Sequence, residues 1–292
     1  MKILVTGANG QLGKCLADVF QASEHDVVFA DRALVDLSEP EHICQKLDNL
    51  KPDFVINAAA YTAVDKAEAE PELAQLINAS SPEAIALWCS ANKAGFIHVS
   101  TDYVFDGTAT RPYVETDSVN PTSVYGKTKL AGEIVVLQAY PAAIIIRTAW
   151  VFSEYGSNFV KTMLRLGAQR DELKVVADQV GCPTYAGDIA AAIKDIVLKV
   201  ADSGRDGGVY HFCGDKAVSW FEFAQQVFAA AKEHGVLLKD VVVQPIPTSE
   251  YPTPARRPAF SVLSTAKMLD SFGVLPSDWQ NALSHVVSGV RP

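Results

Sequence analysis

The feature that most constrains this chain lies at its start. An apolar, β-rich run, Lys2-Ile-Leu-Val-Thr6, passes directly into Gly7-Ala-Asn-Gly10-Gln-Leu-Gly13, after which Leu12, Leu16, Val19 and Phe20 recur at helical spacing. A strand that turns through glycines into a helix lets backbone approach a ligand closely. The unpaired N–H groups and positive dipole end of that helix then favour a pyrophosphate. Gly7, Gly10, Gln11, Leu12 and Gly13 are therefore candidate dinucleotide-binding residues.

A second β-rich run, Val27–Ala30, ends at Asp31, 18 residues after Gly13. An acid at that strand end accepts hydrogen bonds from an adenosine ribose, whereas the adjacent Arg32 suits a 2′-phosphate. The pair leaves NADH and NADPH both open as cofactor, with Asp36 and Leu37 expected to flank the adenine.

Further strands are read at Asp53–Asn57, Phe96–Ser100 and Ala143–Ala149, with helical patterns over Leu73–Ala94 and Tyr125–Gln138. Alternating strands and helices with right-handed crossovers give an α/β chain, a Rossmann-type doubly wound parallel sheet. Residues 1–150 are expected to form this dinucleotide-binding domain. After Trp150, Gly/Pro punctuation at Gly156, Gly181-Cys-Pro183, Gly204 to Gly208 and Pro245 to Pro258 suggests a smaller substrate-binding portion over 151–292. That portion is expected to interleave with the sheet, part of 175–215 returning to it.

Composition narrows the function. With 292 residues, 49% of them hydrophobic, the chain can bury a large core without staples. Five scattered cysteines without a C-x-x-C pair argue against a zinc cluster and a secreted disulfide framework. A net charge of −9 argues against a nucleic-acid partner. The apolar run Ile3–Val5 is far short of a signal-peptide core, and Ile189–Val200 is broken by Lys194, Asp195 and Lys199. No membrane association and a cytoplasmic location are expected.

Tyr125-Gly-Lys-Thr-Lys129 puts a phenol and an ammonium on one helix face, a spacing that says little alone. Its context says more. The strand Phe96–Ser100 runs into Thr101-Asp-Tyr-Val-Phe105, which places a hydroxyl at the C-terminal sheet edge where such folds bind ligands. Thr101, Tyr125 and Lys129 together suit carbonyl reduction. Tyr125 protonates the oxygen as hydride arrives, Lys129 favours the phenolate and holds the nicotinamide ribose, and Thr101 orients the carbonyl. After Asn57, the small residues Ala58, Ala59 and Ala60 allow a cofactor to lie against the backbone.

The segments Asn57–Glu68, Ser100–Gly107, Val124–Glu133 and Arg147–Val151 resemble the dTDP-4-dehydrorhamnose reductases of the extended short-chain dehydrogenase/reductase superfamily. Further matches are Asn158–Leu164, Asp178–Thr184 and Ala255–Pro258, and the likeness runs through nearly the whole chain. It implies reduction of the C4 keto group of a dTDP-4-dehydro-6-deoxy-L-mannose to dTDP-L-rhamnose by NADPH or NADH. It places Asp102, Tyr103, Val104 and Trp150 beside the sugar, and Arg257 at the diphosphate. Some relatives dimerise through magnesium held by acidic residues, one in the first helix. A homodimer is therefore allowed, but Lys14 and Cys15 occupy that stretch and no metal is expected. Two alternatives stay open: a nucleotide-sugar epimerase or dehydratase of the same fold, and a non-catalytic regulatory subunit.

Overall fold

The computed structural model describes residues 1–203 and 207–289. Gly204-Arg-Asp206, part of the expected glycine punctuation, lies outside the described residues, as do the last three.

In chain order the elements are β1 (Lys2–Thr6), α1 (Gln11–Phe20), β2 (Asp26–Ala30), α2 (Pro40–Leu50), β3 (Phe54–Asn57), α3 (Val64–Ala67), α4 (Pro71–Gln75), α5 (Ser81–Asn92), β4 (Gly95–Thr101) and α6 (Val124–Ala139). There follow β5 (Ile144–Thr148), β6 (Val151–Phe152), α7 (Phe159–Gln169), β7 (Glu172–Val176), β8 (Val180–Gly181), β9 (Thr184–Tyr185) and α8 (Ala186–Ser203). The chain closes with β10 (Gly208–His211), β11 (Val218–Ser219), α9 (Trp220–Glu233), β12 (Val242–Ile246), α10 (Ala266–Phe272) and α11 (Trp279–Ser288).

Six parallel strands lie in the order β2-β1-β3-β4-β5-β10. Strands covered on both faces should be largely apolar, and every residue of β3 and β5 is buried. Alternation within β1 sorts the two layers. Ile3 and Val5 face the core shared with α1 and α8, while Leu4 faces the one beneath α2, α5 and α6. A separate cluster gathers α7, α9 and α11 over β7, with Phe223 and Trp279 fully buried in it. No helix among the described residues is long and apolar enough to cross a membrane.

Within the stretch expected to return to the sheet, the sequence singles out no particular strand, and two other departures from the sequence reading also have physical causes. The sixth strand, β10, pairs with β5 through Gly208–Ile144 to His211–Arg147 and is only four residues long, too short to show a period. The helix expected over Leu73–Ala94 is interrupted by a π-helical segment at Leu76–Ser80. Pro82 lacks the N–H that an α-helix would donate to the Asn78 carbonyl, and the Ser81 N–H reaches Leu76 instead. β5 stops at Thr148 because Trp150 adopts a left-handed backbone, φ 47°.

Candidate active site

The strand order reverses between β1 and β3, and the C-terminal ends of the strands there open on a cleft of about 780 Å³. Gly7 sits at the reversal with φ 77°, and a Cβ on it would lie 2.8 Å from the Ala59 nitrogen. A Cβ on Gly13 would meet the Gly7 carbonyl oxygen at 2.1 Å, so α1 starts hard against the turn. Gly10 caps α1 without any side-chain hydrogen bond, which leaves the first-turn N–H groups available to an anion. These features fit a dinucleotide pyrophosphate. At the far end of the cleft Asp31 Oδ1 accepts from the Ala33 and Leu34 amides at 3.0 and 3.2 Å. Arg32 is held to Asp36 at 2.9 Å and to the Ser38 hydroxyl at 3.1 Å.

Thr101 is the last residue of β4, where its hydroxyl donates to Asp102 Oδ1 at 3.0 Å and accepts from the Tyr103 amide at 3.2 Å. Ser123 caps α6 by accepting from the Gly126 amide, which fixes the helix start two residues away and so the position of Tyr125. The Tyr125 ring packs edge-on against Tyr103, centroids 5.4 Å apart. One helical turn on, Lys129 is 1% exposed, and its Nζ donates to the Val99 carbonyl at 2.7 Å and lies 3.3 Å from His98 Nε2.

The electrostatics correct one expectation. Lys129 was to favour the phenolate, yet burial pushes the Tyr125 phenol up to about 12, with the Thr101 hydroxyl pulling it down and Asp102 pushing it up. Lys129 itself is brought down to about 8 by burial, against the opposing pull of Glu133. A buried amine engaged with a strand carbonyl is a weak source of positive potential for its neighbour. Asp102 also departs from its ordinary value. Burial raises its carboxyl to about 6, against hydrogen bonding to the Ser261 and Thr101 hydroxyls, which lowers it.

The cleft gathers Gly7, Gly10, Gln11, Leu12, Asp31, Arg32, Asp36, Leu37, Ala58, Ala59 and Ala60 at one end, and Thr101, Asp102, Tyr103, Tyr125, Lys129 and Trp150 at the other. Gly13, Val104 and Arg257 do not line it. Gly13 is the packing contact just described. The Val104 side chain is 0% exposed, in an apolar cluster with Phe105 and Tyr113, which leaves only its backbone to face a sugar. Arg257 is paired with Asp65 at 3.0 Å, and its Nε is buried without a partner.

Several lining residues carry no sequence signal of their own. Thr148 and Ser157 are among them, as is Gly156, noted only as punctuation. The loop bearing Gly156 and Ser157 is tied to the glycine turn, because Gln11 Oε1 accepts from Ser153 Oγ at 3.0 Å and from Asn158 Nδ2 at 2.8 Å. Cys15, in the stretch expected to lack metal ligands, has its Sγ within 4.8 Å of carboxylate oxygens of Asp18 and Glu154. Burial first, then those two carboxylates, push its thiol up to about 12. A thiol so held is neutral at ordinary pH and a poor cation ligand.

A glycine turn, a strand-end hydroxyl and a Tyr/Lys helix face on one cleft are shared by many reductases and epimerases. The family model described as the RmlD substrate binding domain matches residues 1–291. The chain belongs to that family. Among RmlD-type relatives, the dTDP-4-dehydrorhamnose reductase of Aggregatibacter actinomycetemcomitans is 44% identical, the match covering 98% of each chain. The solved structure of a dTDP-4-dehydrorhamnose reductase from Clostridium acetobutylicum is 42% identical and superposes with a TM-score of 0.90, covering 98% of both chains. That from Bacillus anthracis, solved in complex with NADP, is 37% identical with a TM-score of 0.88, again covering 98% of both.

Proposed function

We propose that this chain is a dTDP-4-dehydrorhamnose reductase, which reduces the C4 keto group of dTDP-4-dehydro-6-deoxy-L-mannose to dTDP-L-rhamnose at the expense of NADPH or NADH. The observation that carries the reading is the convergence of Thr101, Tyr125 and Lys129 on the cleft that begins at Gly7. The bound nicotinamide supplies the hydride.

The chain supplies the rest. Gly7, Gly10 and the open N-terminus of α1 hold the pyrophosphate, Asp31 meets the adenosine ribose, and Ala58–Ala60 form the flat wall against which the dinucleotide lies. Thr101 exchanges its hydrogen bond to Asp102 for one to the keto oxygen and so fixes the carbonyl beside Tyr125. The Tyr125 hydroxyl gives its proton to that oxygen as charge develops on it, and the phenolate left behind is reprotonated from water. A phenol near 12 is fully protonated at neutral pH, so it is always ready to donate. Trp150 packs on the sugar. Arg257 reaches the diphosphate by exchanging its contact with Asp65 for one with phosphate oxygens.

An epimerase or dehydratase regenerates its cofactor within each turnover, whereas this reading requires stoichiometric loss of NAD(P)H. The deciding assay follows NADPH and NADH absorbance with dTDP-, UDP- and GDP-linked 4-keto-6-deoxy sugars and identifies the product. One NAD(P)H oxidised per dTDP-L-rhamnose formed is expected. Turnover of the UDP or GDP compound alone would overturn the substrate, and product without cofactor oxidation would overturn the reaction.

A further inference from the structure

Behind the cleft, three neighbouring strands carry polar side chains in one register. Thr6 pairs with Asn57 across β1 and β3, and Asn57 pairs with His98 across β3 and β4. The side chains join in the same order. Thr6 Oγ1 donates to Asn57 Oδ1 at 2.6 Å, Asn57 Nδ2 lies 2.9 Å from His98 Nδ1, and His98 Nε2 lies 3.3 Å from Lys129 Nζ. Polar residues are rare in the middle of a covered parallel sheet, and here all three are at most 1% exposed.

The donor and acceptor roles in this row can be worked out. Asn57 Oδ1 also accepts from the Ala59 amide at 3.3 Å, and a backbone N–H can only donate. The carbonyl oxygen of Asn57 is thereby fixed towards Thr6 and Ala59, and its NH₂ towards His98. His98 Nδ1 must accept, so the proton of the neutral ring is on Nε2, pointing at the Lys129 amine. The ring is neutral because burial, and then the Lys129 charge, hold its pKa well below the ordinary value. An ammonium has no lone pair to receive that N–H, whereas a neutral amine accepts it while still donating to Val99.

We propose that the Thr6–Asn57–His98 ladder locks His98 in the Nε2–H tautomer and thereby sets the charge state of Lys129, which makes Asn57 and His98 positioning residues for the Tyr125–Lys129 pair. The inference rests on the reading of that pair given above. The row ends at buried Thr6, so it is a lock on a tautomer and not a proton wire to solvent. Glu133, on its own helix, is the charged group that acts on Lys129, while Tyr125 lies one helical turn away and Asp102 acts on Tyr125. Glu133, which favours the ammonium, is itself paired with Arg147 of β5 at 2.6 Å. Glu72 and Glu83, on the helices packed against α6, are solvent-exposed, as is Lys66 of α3, while Asp65 of α3 is taken up by Arg257. Burial brings the amine down to about 8, and the ladder adds to this an N–H aimed at the amine that an ammonium cannot accept.

Two variants and one spectrum test this. Asn57→Asp keeps acceptors for Thr6 and Ala59 but takes the ring proton onto Nδ1, leaving Nε2 free to accept from Lys129. His98→Leu removes the N–H without adding charge. In both, the alkaline limb of NADPH affinity and of kcat/KM is expected to move up by about one pH unit. A limb that moves in the aspartate variant alone reports only the added charge and overturns the lock, as does a limb that moves down in His98→Leu. Should either variant fail to fold, ¹⁵N NMR of histidine-labelled wild-type protein decides. A neutral His98 protonated on Nε2 is expected, and an Nδ1–H tautomer or a charged ring overturns the proposal. The NMR and NADPH titrations need no sugar substrate, so a wrong substrate assignment leaves them standing.

Discussion

The indole of Trp150 lies flat on that of Trp220, ring centroids 3.5 Å apart and planes 7° from parallel. Trp150 holds this pose with φ 47°, a backbone region that a bulky residue occupies only when its surroundings enforce it. Trp220 is the first residue of α9, whose start is fixed by a capping box between Ser219 and Glu222. The second aromatic therefore buttresses the one that lines the cleft.

Trp220→Ala is accordingly expected to raise the KM for the sugar nucleotide several-fold, in line with about 1 kcal/mol for a stacked pair beyond its area. The dissociation constant of NADPH should stay where it was. If the sugar KM did not respond, Trp150 would be a packing residue only.

Tyr125→Phe is expected to bind NADPH normally and to lose about two to four orders of magnitude in kcat, the usual worth of a general acid. The pH profile should locate the charge that matters. The phenol stays protonated to about 12, so the alkaline loss of wild-type activity should follow the Lys129 amine, near pH 8. A limb above pH 10 would place that loss elsewhere.

Asp31 and Arg32 present opposite charges to the adenosine end of the cleft, and the two cofactors should be used within about tenfold of each other. Arg32→Ala should weaken NADPH and spare NADH, whereas Asp31→Ala should favour NADPH by removing a carboxylate that repels a 2′-phosphate. Steady-state kcat/KM for both cofactors gives the answer, and an unchanged ratio in both variants would move the 2′ site away from this turn.

Asp102 makes a prediction about stability. Its folded carboxyl titrates near 6 because it is buried, against about 3.9 in an unfolded chain. Between those values the folded state holds the proton that the unfolded state has lost, so stability falls as pH rises through that window. Above it the full cost, up to about 3 kcal/mol, is present. Asp102→Asn should raise Tm at pH 8 and give no such gain below pH 4. Equal gains at both pH values would mean that the carboxylate is not strained.

What was legible in the sequence is what local chemistry dictates. The Gly7–Gly13 turn, the strand end at Thr101 and the Tyr125–Lys129 face each follow from residues within one turn of each other. What was not legible depends on partners far along the chain. Trp220 stacks on Trp150 from seventy positions away, and Asp65 claims Arg257 across an even longer separation. His98 looks like any polar residue in a strand until β3 and α6 are placed on either side of it. Pro82 is the local signal against one unbroken helix over Leu73–Ala94, and the π-helical segment shows how the helix absorbs it.

Gln11 gives the molecule a built-in sequence of events. Its carboxamide hangs the Ser153–Asn158 loop on the same helix end that meets the phosphates, and Ser157 of that loop lines the cleft. Whatever settles on the helix end also settles the loop, so the dinucleotide should enter first and the sugar nucleotide find its seat completed. Product-inhibition patterns would then be those of compulsory-order addition. Random order would mean that Gln11 joins two parts without transmitting anything between them.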